Sequence, residues 1–150
     1  MSLLKRLYSN SKIHPVEYEN VVLNEGKTVY TGHLLGGKKN GQGTYVDYSA
    51  HVEYKGEWAN DQIHGAGTVT NYFTDLSFTG TFIQNEMGFG TMTWANGAVY
   101  RGYFEKNEFH GLGTLRWPDG STYEGMFEHG KIRGYGAFTD KKGKIHEREF

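Results

Sequence analysis

Along most of this chain, apolar side chains and glycines alternate with polar residues at a spacing of two, which places them on one face of a β-strand. In Tyr54-Lys-Gly-Glu-Trp58 the residues Tyr54, Gly56 and Trp58 share one face, and Lys55 and Glu57 take the other. The same five-residue pattern returns as Tyr30-Thr-Gly32-His-Leu34, Phe78-Thr-Gly80-Thr-Phe82, Tyr100-Arg-Gly102-Tyr-Phe104 and Tyr123-Glu-Gly125-Met-Phe127. The starts, at 30, 54, 78, 100 and 123, are 24, 24, 22 and 23 residues apart. A period of this length is the signature of a repeat architecture.

Each pattern is followed by a second element with two glycines two apart: Gly41/Gly43, Gly65/Gly67, Gly88/Gly90, Gly111/Gly113 and Gly134/Gly136. Two residues further on stand Tyr45, Val69, Met92, Leu115 and Phe138, all apolar. Strict alternation puts both glycines of a pair on the inward face, where an aromatic ring can lie across bare backbone. On that reading Gly111→Val overpacks the aromatic face, while Thr114 lies on the open one. The spacing places an extra residue after the glycine pair in the first two repeats and a missing one in the third repeat's hairpin turn. Trp94-Ala-Asn-Gly97 and Trp117-Pro-Asp-Gly120 read as hairpin turns.

These elements predict an all-β fold: an elongated, twisted, single antiparallel sheet of stacked β-hairpins over residues 20–150. Val21 to Lys27 reads as a degenerate leading hairpin. Residues 144–150 read as a closing half-repeat, with Arg148 in the glycine column. Residues 1–19 stand apart as a basic leader or cap. There Leu3, Leu4, Leu7 and Tyr8 form a stripe beside Lys5, Arg6 and Lys12, which reads as a short amphipathic helix. Such a segment resembles a mitochondrial targeting sequence, and a structural cap is the alternative.

Composition supports a packed repeat. Among 150 residues are 22 glycines, 11 tyrosines, 9 phenylalanines and 3 tryptophans, a content that neither a helical nor a disordered chain carries. Net charge is −1, so no global field selects nucleic acid. There is no cysteine, hence no disulfide or thiolate nucleophile. No apolar run approaches the ~20 residues of a transmembrane helix.

Candidate chemistry is sparse. His64 and His110 precede glycine pairs, but Asn40, Met87 and Arg133 hold that place in the other repeats, which no shared metal or acid–base role accommodates. Gly41-Gln-Gly-Thr has only the first half of a dinucleotide fingerprint. Glu57, Glu105 and Glu124 lie on the solvated face without a fixed second carboxylate or nucleophile. Lys38-Lys39 and Lys141-Lys142-Lys144 fall short of the 4–8 clustered charges of a lipid-headgroup site. No catalytic residue, cofactor site or metal site emerges, and the chain reads as a non-enzyme.

The pattern Tyr-x-Gly-x-aromatic, a turn, then His-Gly-x-Gly resembles the MORN repeat (membrane occupation and recognition nexus). Residues 54–67 and 100–113 keep the whole signature, through His64-Gly65-Ala-Gly67 and His110-Gly111-Leu-Gly113, and the resemblance covers residues 27–150. It implies a protein-binding scaffold or accessory subunit of a multi-subunit assembly. A membrane-peripheral, phosphoinositide-binding module, contacting anionic lipid, is the alternative. The leader points to mitochondria, and the family equally to cytoplasm, cytoskeleton or cilium. Since the inward columns are consumed by the stack, partner contacts are expected from Phe89, Leu112 and Tyr135 on the open face, with Tyr103 beside them and Phe109 in the hairpin turn; burial of Phe89 and Tyr135 against the chain's own leader helix is the alternative.

Overall fold

The computed structural model describes residues 17–150. The amphipathic helix expected over Met1 to Pro15 lies outside the described residues. Twelve strands form one unclosed antiparallel sheet in which strand order equals sequence order. They are β1 (Glu17–Glu25), β2 (Thr28–Leu35), β3 (Lys38–Asp47), β4 (Val52–Ala59), β5 (Gln62–Asn71), β6 (Leu76–Ile83), β7 (Glu86–Thr93), β8 (Val99–Glu105), β9 (Glu108–Arg116), β10 (Thr122–Glu128), β11 (Lys131–Thr139) and β12 (Ile145–Glu149). The expected all-β, single-sheet architecture is the one observed. β1 and β2 form the leading hairpin, and in β12 Arg148 stands opposite Gly136.

Among the described residues no second layer covers the sheet's apolar face, and the rings bury one another. Tyr100 lies over paired Gly102 and Gly113, and a Cβ on Gly113 would sit 2.6 Å from the Tyr100 hydroxyl oxygen. Its ring meets Phe104 on its own strand at 5.2 Å and Phe127 of the next repeat at 5.0 Å, both edge to face. The arrangement recurs at Tyr54 with Trp58 and Phe82, at Phe78 with Phe82 and Phe104, and at Tyr123 with Phe127 and Phe150. Tyr100 and Tyr123 are fully inaccessible, and Tyr30, Leu34 and Phe78 are nearly so. At roughly 1.5–3 kcal/mol for each large apolar side chain buried, this ladder dominates stability.

Alternation does not hold through the glycine pairs. Gly67 stands opposite Gly56, but the next matched pair is Trp58 with Ile63, so one residue of β4 faces three of β5. This β-bulge turns the first glycine of each pair away from the aromatic ladder. Gly41, Gly65, Gly111 and Gly134 have positive φ, from 67° to 83°. A Cβ on Gly111 would meet only Tyr103 on the open face, at 3.8 Å. The expectation that Gly111 lies under the rings is therefore corrected: Gly65 and Gly111 are required by backbone conformation, whereas Gly67 and Gly113 are required by the ring above them.

The bulge also explains the tyrosine. It frees the carbonyl three residues beyond the ring, and the hydroxyls of Tyr30, Tyr54, Tyr100 and Tyr123 donate to those of His33, Glu57, Tyr103 and Met126 at 2.8–3.2 Å. In the third repeat Phe78 has no hydroxyl to give. There Phe82 pairs with Met87 and only two residues, Gly88 and Phe89, face Thr81. The missing residue thus comes out of the bulge and not out of the turn. Met87 belongs to the inward column of Lys39, Ile63, Phe109 and Ile132, not to the histidine position.

Within repeats the hairpin turns are two-residue turns with both φ positive: Gly36-Gly37, Asn60-Asp61, Gln84-Asn85, Lys106-Asn107 and His129-Gly130. Three of them reach back one hairpin. The Oδ1 atoms of Asp61, Asn85 and Asn107 accept from the backbone N–H of Lys39, Ile63 and Met87 at 2.7, 2.9 and 3.0 Å. At the fifth turn Gly130 keeps only a backbone bond, its N–H donating to the Phe109 carbonyl at 3.0 Å.

Candidate docking face

The side of the sheet opposite the ring ladder is open, and its side chains form rows across the strands. One row runs through Lys55, Thr68, Thr79, Thr91, Arg101, Thr114, Glu124 and Ala137, each paired with the next. A second row, two residues along each strand, runs Gln42, Glu57, Ala66, Thr81, Phe89, Tyr103, Leu112, Met126 and Tyr135. Between the rows lie the glycines whose inner side carries the rings. The result is a pair of shallow troughs of about 690 and 620 Å³, sharing Phe89 and Arg101 as a common wall. Gly56, Gly67, Gly80 and Gly90 floor the first, and Gly102, Gly113 and Gly125 the second.

The two troughs differ in chemistry. The first is lined mainly by threonine, Gln42, Lys55 and Glu57, and the Thr68 and Thr79 hydroxyls bond each other at 2.9 Å. The second has one apolar wall of Phe89, Tyr103 and Leu112, facing a wall of Arg101, Thr114 and Glu124. Phe89 and Tyr103 meet at 4.9 Å between ring centroids, and the Arg101 guanidinium lies 5.6 Å from the Phe89 ring. Phe89 is 39% exposed and Tyr135 76%, with Tyr103, Leu112 and Met126 between these values. Thus Phe89, Tyr103, Leu112 and Tyr135 share the open face.

Phe109 does not join them. It is stacked on Tyr100 at 4.0 Å with the planes 19° apart, and also touches Trp94, Phe104 and Phe127. The column it shares with Ile63 and Ile132 faces the ring ladder, so Phe109 is core. Sequence reasoning missed Met126. Its place between Gly125 and Phe127, matching Tyr103 between Gly102 and Phe104, was the available signal. It also missed Tyr48, Tyr72 and Phe73 in the longer loops after β3 and β5, where Phe73 is 80% exposed and stacks on His51. Those loops are set by Asp47 and Asn71, whose Oδ1 atoms each accept two backbone N–H groups just ahead of them.

The remaining candidates take ordinary places. His110 Nδ1 stands 3.4 Å from a Glu105 carboxylate oxygen at the turn margin, and His64 is exposed in its bulge. Among the described residues no group of three or more His, Asp or Glu side chains is placed to hold a metal ion. Burial pushes the hydroxyls of Tyr30, Tyr54 and Tyr100 up to about 12, with Asp61 and Glu57 adding to the rise at the first two. Among the described residues no helix is long and apolar enough to cross a membrane.

A sheet that buries one face by its own ring ladder and leaves the other grooved defines a single-layer β-repeat interaction protein. The MORN-repeat family matches at residues 30–49, 54–70, 78–99, 100–122 and 123–145, together more than half of the chain. The chain belongs to the MORN-repeat family, whose repeats are interaction modules for proteins or lipids and are of a non-enzymatic type. No curated protein matches it.

Proposed function

We propose that this protein is a non-enzymatic docking subunit, a scaffold or adaptor that binds protein partners within a larger assembly. One observation carries the reading. Phe89, Tyr103, Leu112, Met126 and Tyr135 form an unbroken apolar row on an exposed face, where the equivalent positions of the first repeats are Gln42, Glu57 and Ala66. A row that carries large apolar side chains only over five adjacent strands is what a protein partner's contact surface requires.

The phosphoinositide reading finds less support. Lys38-Lys39 and Lys141-Lys142-Lys144 stand on opposite margins of the sheet, eight strands apart, or roughly 38 Å at about 4.8 Å per strand. The Lys39 ammonium is moreover held over the rings of Tyr30, Tyr45 and Trp58 at 5.1–5.4 Å.

The test is Phe89→Ser, Leu112→Ser and Tyr135→Ser combined. These exposed sites tolerate the change, so the melting temperature should hold while partner recovery from native extract falls at least tenfold, about 1.4 kcal/mol. Full recovery of every partner with the triple variant would remove the face from the interface.

A further inference from the structure

Two opposite charges flank Thr114 symmetrically, in the row beside the apolar one. Arg101 on β8 and Glu124 on β10 both stand opposite Thr114 on β9, in the same row and on the same exposed face. Two strand spacings, about 9.6 Å, separate their backbones. Arg101 rests its guanidinium 5.6 Å from the Phe89 ring, and among the described residues neither it nor Glu124 has an opposite charge within ion-pair distance.

The geometry points to a second copy of this chain as the partner. We infer that two sheets associate open face to open face, about a twofold axis running along β9. Such an axis keeps each residue's height along its strand and exchanges strands on either side of β9. β8 then faces β10 of the other copy, and β7 faces β11. Arg101 meets the other copy's Glu124, and the symmetry repeats the pair. In the apolar row Phe89 faces Tyr135, Tyr103 faces Met126, and Leu112 faces its own counterpart on the axis. The surface is complementary to itself, as an isologous contact requires. An axis across the strands would instead set the apolar row against the threonine row.

Charged residues bound the contact. Arg116 lies beyond Thr114 on β9 and would repel its copy, while at the turn margin Glu105, Glu108 and Glu128 already face His110, His129 and Arg133 at 3.4–3.5 Å. The contact is therefore confined to two rows over five strands. That places it at the low end of specific interfaces, below ~1,200 Å², and a dimer dissociating in the micromolar range is expected.

This inference rests on the proposed docking face and is tested separately from it. Sedimentation velocity is run on the full chain over a concentration series reaching the high-micromolar range. The wild type should shift from monomer to dimer. Arg101→Glu and Glu124→Arg, each placing two like-charged pairs in the contact, should each weaken the dimer by about tenfold or more. The double exchange R101E/E124R should restore it. Circular dichroism confirms that all variants keep the sheet. A wild type that stays monomeric throughout, single variants that associate as the wild type does, or a double exchange that fails to rescue would each overturn the proposal. If the wild type is monomeric while the serine variant still loses its partners, the docking face stands and only the second copy is wrong.

Discussion

The second and fourth repeats share one inner face and part company on the open one. Tyr54 and Tyr100 lie over the same glycine pairs, donate to the same freed carbonyl, and meet an edge-on ring of the next repeat at 5.4 and 5.0 Å. On the other side of those glycines Glu57 stands where Tyr103 stands, and Ala66 where Leu112 stands. Sameness marks what every repeat must do to fold. Departure marks what only some repeats must do, and here it gathers on adjacent strands and one face.

The comparison can be broken hardest at the inner face. Gly113→Val places a branched side chain into the Tyr100 ring and should cost about 3 kcal/mol. Gly111→Ala brings its Cβ into ordinary van der Waals contact with Tyr103 and should cost only the left-handed backbone conformation, about 1–2 kcal/mol. Chemical denaturation of the two variants separates the contributions, and equal losses would mean that the bulge does not reverse the first glycine.

Base attacks the same face without mutation. The native hydroxyls of Tyr30, Tyr54 and Tyr100 lie at about 12, against an ordinary 10.0. The unfolded chain therefore loses these protons first. The stability they lend is complete below about pH 10 and drains between pH 10 and 12. Near-ultraviolet circular dichroism should collapse in that window together with the rise of tyrosinate absorbance. A spectrum unchanged at pH 12 would contradict the assigned burial.

The finest test uses the joints between hairpins. Asn107→Ala leaves the Met87 N–H without its acceptor and should cost about 1 kcal/mol. Gly130 has the same turn position, positive φ and nothing within 4 Å of an added Cβ. Gly130→Asn should supply the missing clamp to Phe109 and raise stability by about 0.5 kcal/mol. Thermal melts decide both, and a destabilised Gly130→Asn would show that the clamp does not transfer to this joint.

How much of this was legible depended on period. A repeat of two fixes which face a residue takes as long as the ladder is regular, so Tyr54, Trp58, Tyr100 and Phe127 could be read as core, and Phe89, Leu112 and Tyr135 as open. A β-bulge changes the count without changing the residue types. Strict alternation therefore misplaced Gly65 and Gly111, put Met87 in the histidine position and left Phe109 in a turn. The clamps of Asp61, Asn85 and Asn107 bond residues 20–22 positions away, and only the register brings those together.

Strand order that never departs from sequence order also sets how the protein tolerates change in length. Every strand is paired only with its immediate neighbours in the chain. The stability of the described residues is then a sum over hairpins and the joints between them, with strands paired only in sequence order. A duplicated repeat would lengthen the sheet by two strands without disturbing any existing pair. The same gene segment could thus be copied or trimmed in whole hairpins, moving the apolar rows along a growing ruler while each ring keeps its glycine.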